Sequence, residues 1–203
     1  MTPLPFSHLN LRRNPFGELT AEERTALAVV EIGPALQHLK QPRAAVQFVG
    51  EKGYGKTTHL LVLASHFAHG TYIHIPEGRR VTIPSVGDPL LIDEAQRLTK
   101  IQQWLIFRSR RRLILGTHED FEQSLCRADR PALTIAADRF TNEGRVHTLL
   151  NARIQFARRA DGPIPSVTLQ TASRLFTQFG SDIRSIEHSM YQTIQLLRDI
   201  QDV

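Results

Sequence analysis

The sequence predicts an α/β fold: a parallel sheet flanked by helices and followed by a small all-helical segment. Three observations predict it. The apolar run Ala45-Val46-Gln47-Phe48-Val49 reads as a buried strand, and it passes through a glycine-rich turn directly into the helical stretch Thr58–Ala64. Further apolar runs of strand length follow at 71–75, 89–94, 113–117 and, more weakly, 133–136, with helical or turn-rich stretches between them. From Thr141 the texture changes to helices, at 146–159, 168–179 and 181–200. The reading divides the chain into an N-terminal arm and helix packing on the core (residues 1–42), the α/β core (43–140) and the helical segment (141–203).

The glycine-rich turn is a complete G-x-x-x-x-G-K-[ST] phosphate loop: Gly50-Glu51-Lys52-Gly53-Tyr54-Gly55-Lys56-Thr57, running on into Thr58. Strand before and helix after are the context in which this motif cradles phosphates. Its glycines let successive backbone N–H groups turn inward, and the helix start adds unpaired donors and a positive dipole end. In a P-loop NTPase, Lys56 reaches the β- and γ-phosphates of ATP and the Thr57 hydroxyl ligates Mg²⁺. A glycine-rich turn between core strand and helix is the plainer alternative.

Bulk properties narrow the rest. The 203 residues, 41% hydrophobic and 22% charged, suffice for one domain or a domain with a small appendage, and exclude wholesale disorder. One cysteine, Cys126, excludes an internal disulfide, and no Cys/His spacing suits zinc. No apolar run approaches a membrane span and Met1–Arg13 lacks the apolar stretch of a signal peptide, so the expectation is a cytoplasmic protein without membrane insertion. The net charge of +5 rests on arginine, lysine occurring only at positions 40, 52, 56 and 100. That suits a polyanionic partner; a GC-rich genome produces the same bias.

Taken in order, Met1–Leu19 reads as an aperiodic arm, and Thr20-Ala21-Glu22-Glu23 as a capping box opening a helix. Leu27, Val30 and Ile32 give that helix an apolar face before Gly33-Pro34 breaks it, and a second short piece runs to Lys40. The stretch 76–88 is turn-rich, too short for a crossover helix. Pro89-Leu90-Leu91-Ile92-Asp93-Glu94 is an apolar strand ending in two acids, the Walker B pattern. Lying beside the phosphate-loop strand, it would carry Asp93 to hold Mg²⁺ through water and Glu94 to act as base on the attacking water; the alternative is a strand-end Asp capping the next helix. Ala95–Arg108 reads as one helix with Leu98, Ile101 and Leu105 at helical spacing and Trp104 alongside. Arg108-Ser109-Arg110-Arg111-Arg112 is either a solvated turn or a contact to DNA phosphates or to a neighbouring subunit's nucleotide. At the tip of the next strand, Thr117, or His118 beside it, is placed to touch the γ-phosphate or attacking water; Thr117 also suits a helix N-cap. Gly180-Ser181-Asp182-Ile183-Arg184 opens the last helix with a cation in its first turn, opposed by the helix dipole unless an anion is near.

Phosphate loop, Leu90-Leu91-Ile92-Asp93-Glu94, Thr117 and Gly180-x-x-x-Arg184 together resemble an AAA+ ATPase with a helical lid. Leu11-Arg12-Arg13-Asn14-Pro15-Phe16 is similar to the opening of the small bacterial members grouped with the general secretion pathway A type and with transposition-regulator ATPases. The resemblance implies that Asn14, Pro15 and Phe16 lie near the adenine, Thr117 is sensor 1 and Arg184 is sensor 2. It implies an arginine finger, Arg127 or Arg130, acting in trans in a ring or filament. The chain departs from the family in the short segment before Walker B and in having no appended domain after the lid. The functions implied are a nucleotide-controlled oligomeric switch acting on double-stranded DNA, an ATPase acting on a protein partner, or a nucleotide-holding scaffold with little turnover.

Overall fold

The computed structural model describes residues 5–79 and 81–203; residues 1–4 of the expected arm and Arg80 of the turn-rich stretch lie outside them. The chain divides into two compact units, Val30–Phe140 and, from the two ends of the chain, Met1–Val29 with Thr141–Val203.

The first unit carries the expected parallel sheet. Its strands are β1 (Ala45–Val49), β2 (Thr71–His74), β3 (Leu90–Asp93), β4 (Leu113–Thr117) and β5 (Ala132–Ala136). All pair in parallel, in the order β2-β3-β4-β1-β5. Alternating side chains of each strand serve opposite faces. Leu90, Ile92, Leu113 and Leu115 pack with Ile106, Phe107, Phe121 and Leu125 on one face. Val46, Phe48, Leu91 and Ile114 pack with Ala35, Leu39, Leu60 and Leu63 on the other. Burial on both faces is why these strands read as continuous apolar runs. Gln47, fully buried among them, is satisfied: its amide donates to Asp120 Oδ1 at 2.6 Å and Thr134 Oγ1 at 2.8 Å and accepts from Phe121 N at 2.9 Å.

Three local expectations need correction. Helix α1 (Ala21–Ala26) starts on the Thr20 capping box as read, but it ends at Ala26, and Gly33-Pro34 opens a new helix, α2 (Gly33–His38), rather than breaking the first. Proline suits a helix start because the N–H it lacks would have no partner there. The phosphate-loop helix, α3, spans Lys56–Ser65. The expected single helix 95–108 is instead a short 3₁₀ turn, Ala95–Arg97, and then α4 (Lys100–Arg108), which begins on a Thr99–Gln102 capping box. On this helix Ile106, Phe107 and Gln103 are buried, whereas Ile101, Trp104 and Leu105 are 74%, 56% and 55% exposed. Finally, β3 does not lie beside β1; β4 sits between them. Helix α5 (Glu122–Arg127) links β4 to β5.

The second unit is helical: α6 (Glu143–Phe156), α7 (Leu169–Phe179) and α8 (Ile183–Leu196). Asn142, Thr168 and Asp182 cap them with side-chain oxygens accepting backbone N–H groups. Their core, with Val146, Leu150, Ile154, Leu175, Ile186, Met190 and Ile194, also contains Leu9, Leu11 and Phe16 from the other end of the chain. The segment expected at 1–42 therefore divides, Met1–Val29 belonging with the helices and the remainder with the sheet. Among the described residues no helix is long and apolar enough to cross a membrane.

Candidate active site

Because the strands are parallel, their carboxyl ends lie along one edge, with Val49 level with Thr117 and Asp93 level with Gly116. In sheets of this kind ligands bind at that edge. The loop 50–57 leaves β1 there. Gly53 and Gly55 have φ of 94° and 80°, a backbone conformation that L side chains rarely adopt and that folds the loop over the start of α3. His59, on the first turn of α3, holds Gly55 O at 3.0 Å and stacks against Phe48. Lys56 is buried, its Nζ donating to Gly50 O at 2.8 Å and Glu51 O at 2.9 Å.

Two motifs far apart in sequence meet here. The Thr57 hydroxyl donates to Asp93 Oδ2 at 2.8 Å, and β4 lies between the two strands that lead to them. Gly116 of β4 makes room: a Cβ there would stand 2.9 Å from Asp93 Oδ1 and 3.4 Å from the methyls of Leu60. Asp93 Oδ2 also accepts from the Tyr72 hydroxyl and lies against His74 Nδ1, each at 3.2 Å, while Oδ1 is buried with no hydrogen-bond partner among the described residues. A hydroxyl and a carboxylate are the hard oxygen donors that suit Mg²⁺ in company with substrate phosphates.

Glu94 has φ 63°, the left-handed region, strain of the kind found at functional positions. It turns the chain sharply off β3 into the 3₁₀ turn. Its Oε2 accepts from Gln96 Nε2 at 2.8 Å and pairs with Arg97 at 3.1 Å. Its Oε1 lies 3.7 Å from His118 Nε2, which is itself 3.4 Å from Lys56 Nζ. His118 N donates to Gln96 Oε1 at 3.3 Å, so one glutamine side chain ties Glu94 and His118 together.

Of the expected residues, the structure brings together Gly50, Glu51, Gly55, Lys56, Thr57, Asp93 and Glu94, with Lys52, Gly53, Tyr54 and Thr58 completing the loop and first helical turn. At the tip of β4 the two candidates are placed differently. Thr117 is fully buried and its hydroxyl closes a turn on itself, accepting from Glu119 N and donating to Glu119 O, both at 2.9 Å. His118 is the side chain that faces Lys56 and Glu94.

Arg130 does not fit an arginine finger. It is 3% exposed and clamped inside its own chain, donating to Phe107 O at 3.1 Å and to Arg43 O, Arg111 O and Ser109 O at 2.6 Å each. Burial first, then the Arg43 and Arg111 charges, push its guanidinium down to about 10. Arg127 is exposed at the end of α5.

The remaining expected residues lie in the helical unit. Asn14 Nδ2 donates to Tyr191 O at 3.0 Å and its Oδ1 accepts from Phe16 N at 3.1 Å. Pro15 and Phe16 are buried beside it. Arg153 staples this turn, donating to Pro15 O at 2.9 Å and Gly17 O at 2.6 Å, with its guanidinium over the Phe16 ring and paired to Glu187. Burial lowers the Arg153 pKa, and Glu187 opposes that shift. The Asn-Pro-Phe segment is therefore a structural clip between the N-terminal arm and α6 and α8. Arg184 is exposed in the first turn of α8.

Sequence reasoning missed Tyr72, His74, Gln96 and Arg153. A signal existed for the first two: period-2 alternation puts Tyr72 and His74 on one face of the strand, opposite Thr71 and Ile73, and polar groups that turn inward need a partner.

No family model matches the chain, and no curated protein matches it.

Proposed function

We propose that this chain binds Mg²⁺-ATP at the loop 50–57 and hydrolyses it, as a nucleotide-controlled oligomeric switch of the AAA+ kind. One observation carries the reading: the Thr57 hydroxyl and the Asp93 carboxylate, 36 residues apart, meet at 2.8 Å at the mouth of a phosphate-cradling loop. A glycine-rich turn with no ligand to hold does not require an acid from a strand two places away.

Each residue then has a role. The backbone N–H groups of 50–57 and the start of α3 receive phosphate oxygens, and Lys56 Nζ exchanges its loop carbonyls for the β- and γ-phosphates. Thr57 would hold Mg²⁺ directly and Asp93 through water, and the ion would supply positive charge against the triphosphate. Glu94 Oε1 takes a proton from the attacking water, held in place by Gln96 and Arg97 on the other oxygen. His118 fills the sensor position in place of Thr117. Arg184 serves as the lid cation and Arg127 as the finger toward a neighbouring copy, so the isolated monomer turns over slowly.

On the target, a protein partner is favoured over duplex DNA by the state of the arginine cluster. Arg111 is committed to Pro84 O and Val86 O, and Arg112 to Asp88, leaving Arg108 and Arg110 to project. The deciding measurement is equilibrium binding of a fluorescent ATP analogue in magnesium, with Lys56→Ala as control. Saturable binding lost in the variant supports the site; intact protein with no affinity for ATP or ADP overturns it.

A further inference from the structure

The outward stripe of α4 is unusual for a helix on a parallel sheet. Ile101, Trp104, Leu105 and Arg108 recur at i, i+3, i+4 and i+7, one face of the helix. Its three apolar members are all more than half exposed although the opposite face of the same helix is buried in the core. Beside the stripe runs an open groove of about 180 Å³, lined by Leu105, Gln102 and Ile106 from α4 and by Ile83, Pro84 and Ser85 from the loop before β3. That loop is fixed to the helix side by Gln102 Nε2 to Val81 O at 2.9 Å and by Arg111 to Pro84 O at 2.8 Å, so the groove is preformed. Val86, 72% exposed, extends the apolar surface of the same loop.

The sequence on either side of this surface is rich in cations. No acidic residue occurs between Glu94 and Glu119, a span that holds Arg97, Lys100, Arg108, Arg110, Arg111 and Arg112, and none occurs between Glu77 and Asp88. Asp88 itself is paired with Arg112. Arg108 lies 4.9 Å over the Trp104 ring, presenting a cation at the end of the apolar stripe. An exposed aromatic with aliphatic neighbours and a cationic edge is the composition of a protein-binding hot spot.

We propose that the α4 stripe and its adjoining groove dock an acidic amphipathic segment of a partner protein. The segment lays an apolar side chain into the groove beside Leu105 and sets carboxylates against Lys100, Arg108 and Arg110. The occupant is acidic because Lys100, Arg108 and Arg110 are exposed at the edge of the stripe, and it is amphipathic because the floor is apolar. A nucleic acid would set its phosphates against an apolar surface with cations only at the edge. The surface is separate from the residues 50–57, 93 and 94, and its occupancy needs no nucleotide.

Trp104 is the only tryptophan of the chain, so its fluorescence reports this surface alone. The test titrates the intact protein, without ATP, with a tryptophan-free helical peptide carrying Leu at i, i+3, i+4 and i+7 and Glu elsewhere. A parallel titration uses the same peptide with Lys in place of Glu. The expected result is a saturable blue shift with the Glu peptide, weakened by salt and absent with the Lys peptide. Arg108→Glu should weaken it at least about fivefold and Leu105→Asp should abolish it, with the melting temperatures of both variants unchanged. An unresponsive Trp104, an equal response to the Lys peptide, or full binding by folded Leu105→Asp overturns the proposal. So does a saturable shift produced instead by a duplex oligonucleotide, or by raising the protein's own concentration.

Discussion

Replacing Arg130 with alanine removes a buried cation that joins the 43–44 turn, the end of α4 and the 109–111 segment through their carbonyls. Four of its hydrogen bonds are 3.1 Å or shorter, and a bond from a charged donor contributes about 1.5–3 kcal/mol net. Against them stands desolvation. A guanidinium pushed down to about 10 by burial and two like charges costs about 3 kcal/mol at about 1.4 kcal/mol per pH unit. The bonds exceed that cost, and the alanine variant also strands the carbonyls in a void. The expected loss is about 3–5 kcal/mol, as for other broken buried networks, or a melting temperature lower by about 10 °C. Urea unfolding followed by circular dichroism measures it. Arg130→Lys, which cannot make the fork, should recover less than half of the loss. Arg127→Ala should leave stability within about 0.5 kcal/mol and lower only the ATPase of the assembled protein. If Arg130→Ala unfolds at the wild-type urea concentration, the clamp contributes nothing and the case against its acting as a finger fails.

Gly116→Ala should crowd the Asp93 carboxylate across 2.9 Å, costing about 1–3 kcal/mol of stability and lowering turnover by about tenfold or more; a variant with wild-type magnesium-dependent turnover would show that Asp93 need not hold its place. Glu94→Gln is expected to keep ATP affinity and lower turnover roughly 10²–10⁴-fold, read by phosphate release under single-turnover conditions. At the N-terminal arm, the Arg13 hydrogen bond and then the Thr20 N–H hold the Glu23 carboxyl below its ordinary 4.5. A depressed carboxylate stabilises above the unfolded value, and that contribution fades as pH falls through the folded one. The Glu23 titration by NMR should therefore have its midpoint below 4.5, and Glu23→Gln should lose its stability deficit in acid; a midpoint at or above 4.5 would contradict the Arg13 pairing.

How much of this was legible in the sequence depended on whether the signal was local. The strands were, because parallel strands buried on both faces are unbroken apolar runs bounded by turns. Their order was not, because nothing in β3 or β4 says which of them neighbours β1; that choice rests on Gly116 letting Asp93 and Thr57 meet across β4. Helix α4 misled because both of its faces are apolar. The spacing of Leu98, Ile101 and Leu105 suggests one continuous helix, yet the Thr99-x-x-Gln102 capping box, visible in the sequence, sets the helix start two residues after Leu98 and turns Ile106 and Phe107 to the core. Arg127 and Arg130 carry no local sign of their difference. It arises where carbonyls of Arg43 and of the distant 107–111 stretch converge on one guanidinium.

The hydrogen-bond inventory at Thr57 and Asp93 also bears on how magnesium would be held. A hydroxyl has one proton to donate and two lone pairs to offer. The Thr57 proton goes to Asp93 Oδ2, so the lone pairs are what the side chain has for a cation. Asp93 Oδ2 already serves Thr57, Tyr72 and His74, and Oδ1 is buried against Gly116, so Asp93 would act as an outer partner that aims the hydroxyl and supplies charge rather than as a bare ligand. Lys56 meanwhile rests on carbonyls of its own loop. Binding a triphosphate therefore need not break the Thr57–Asp93 contact; it needs Lys56 to exchange two carbonyl oxygens for phosphate oxygens that carry full charge, an exchange the stronger charge-assisted bonds favour.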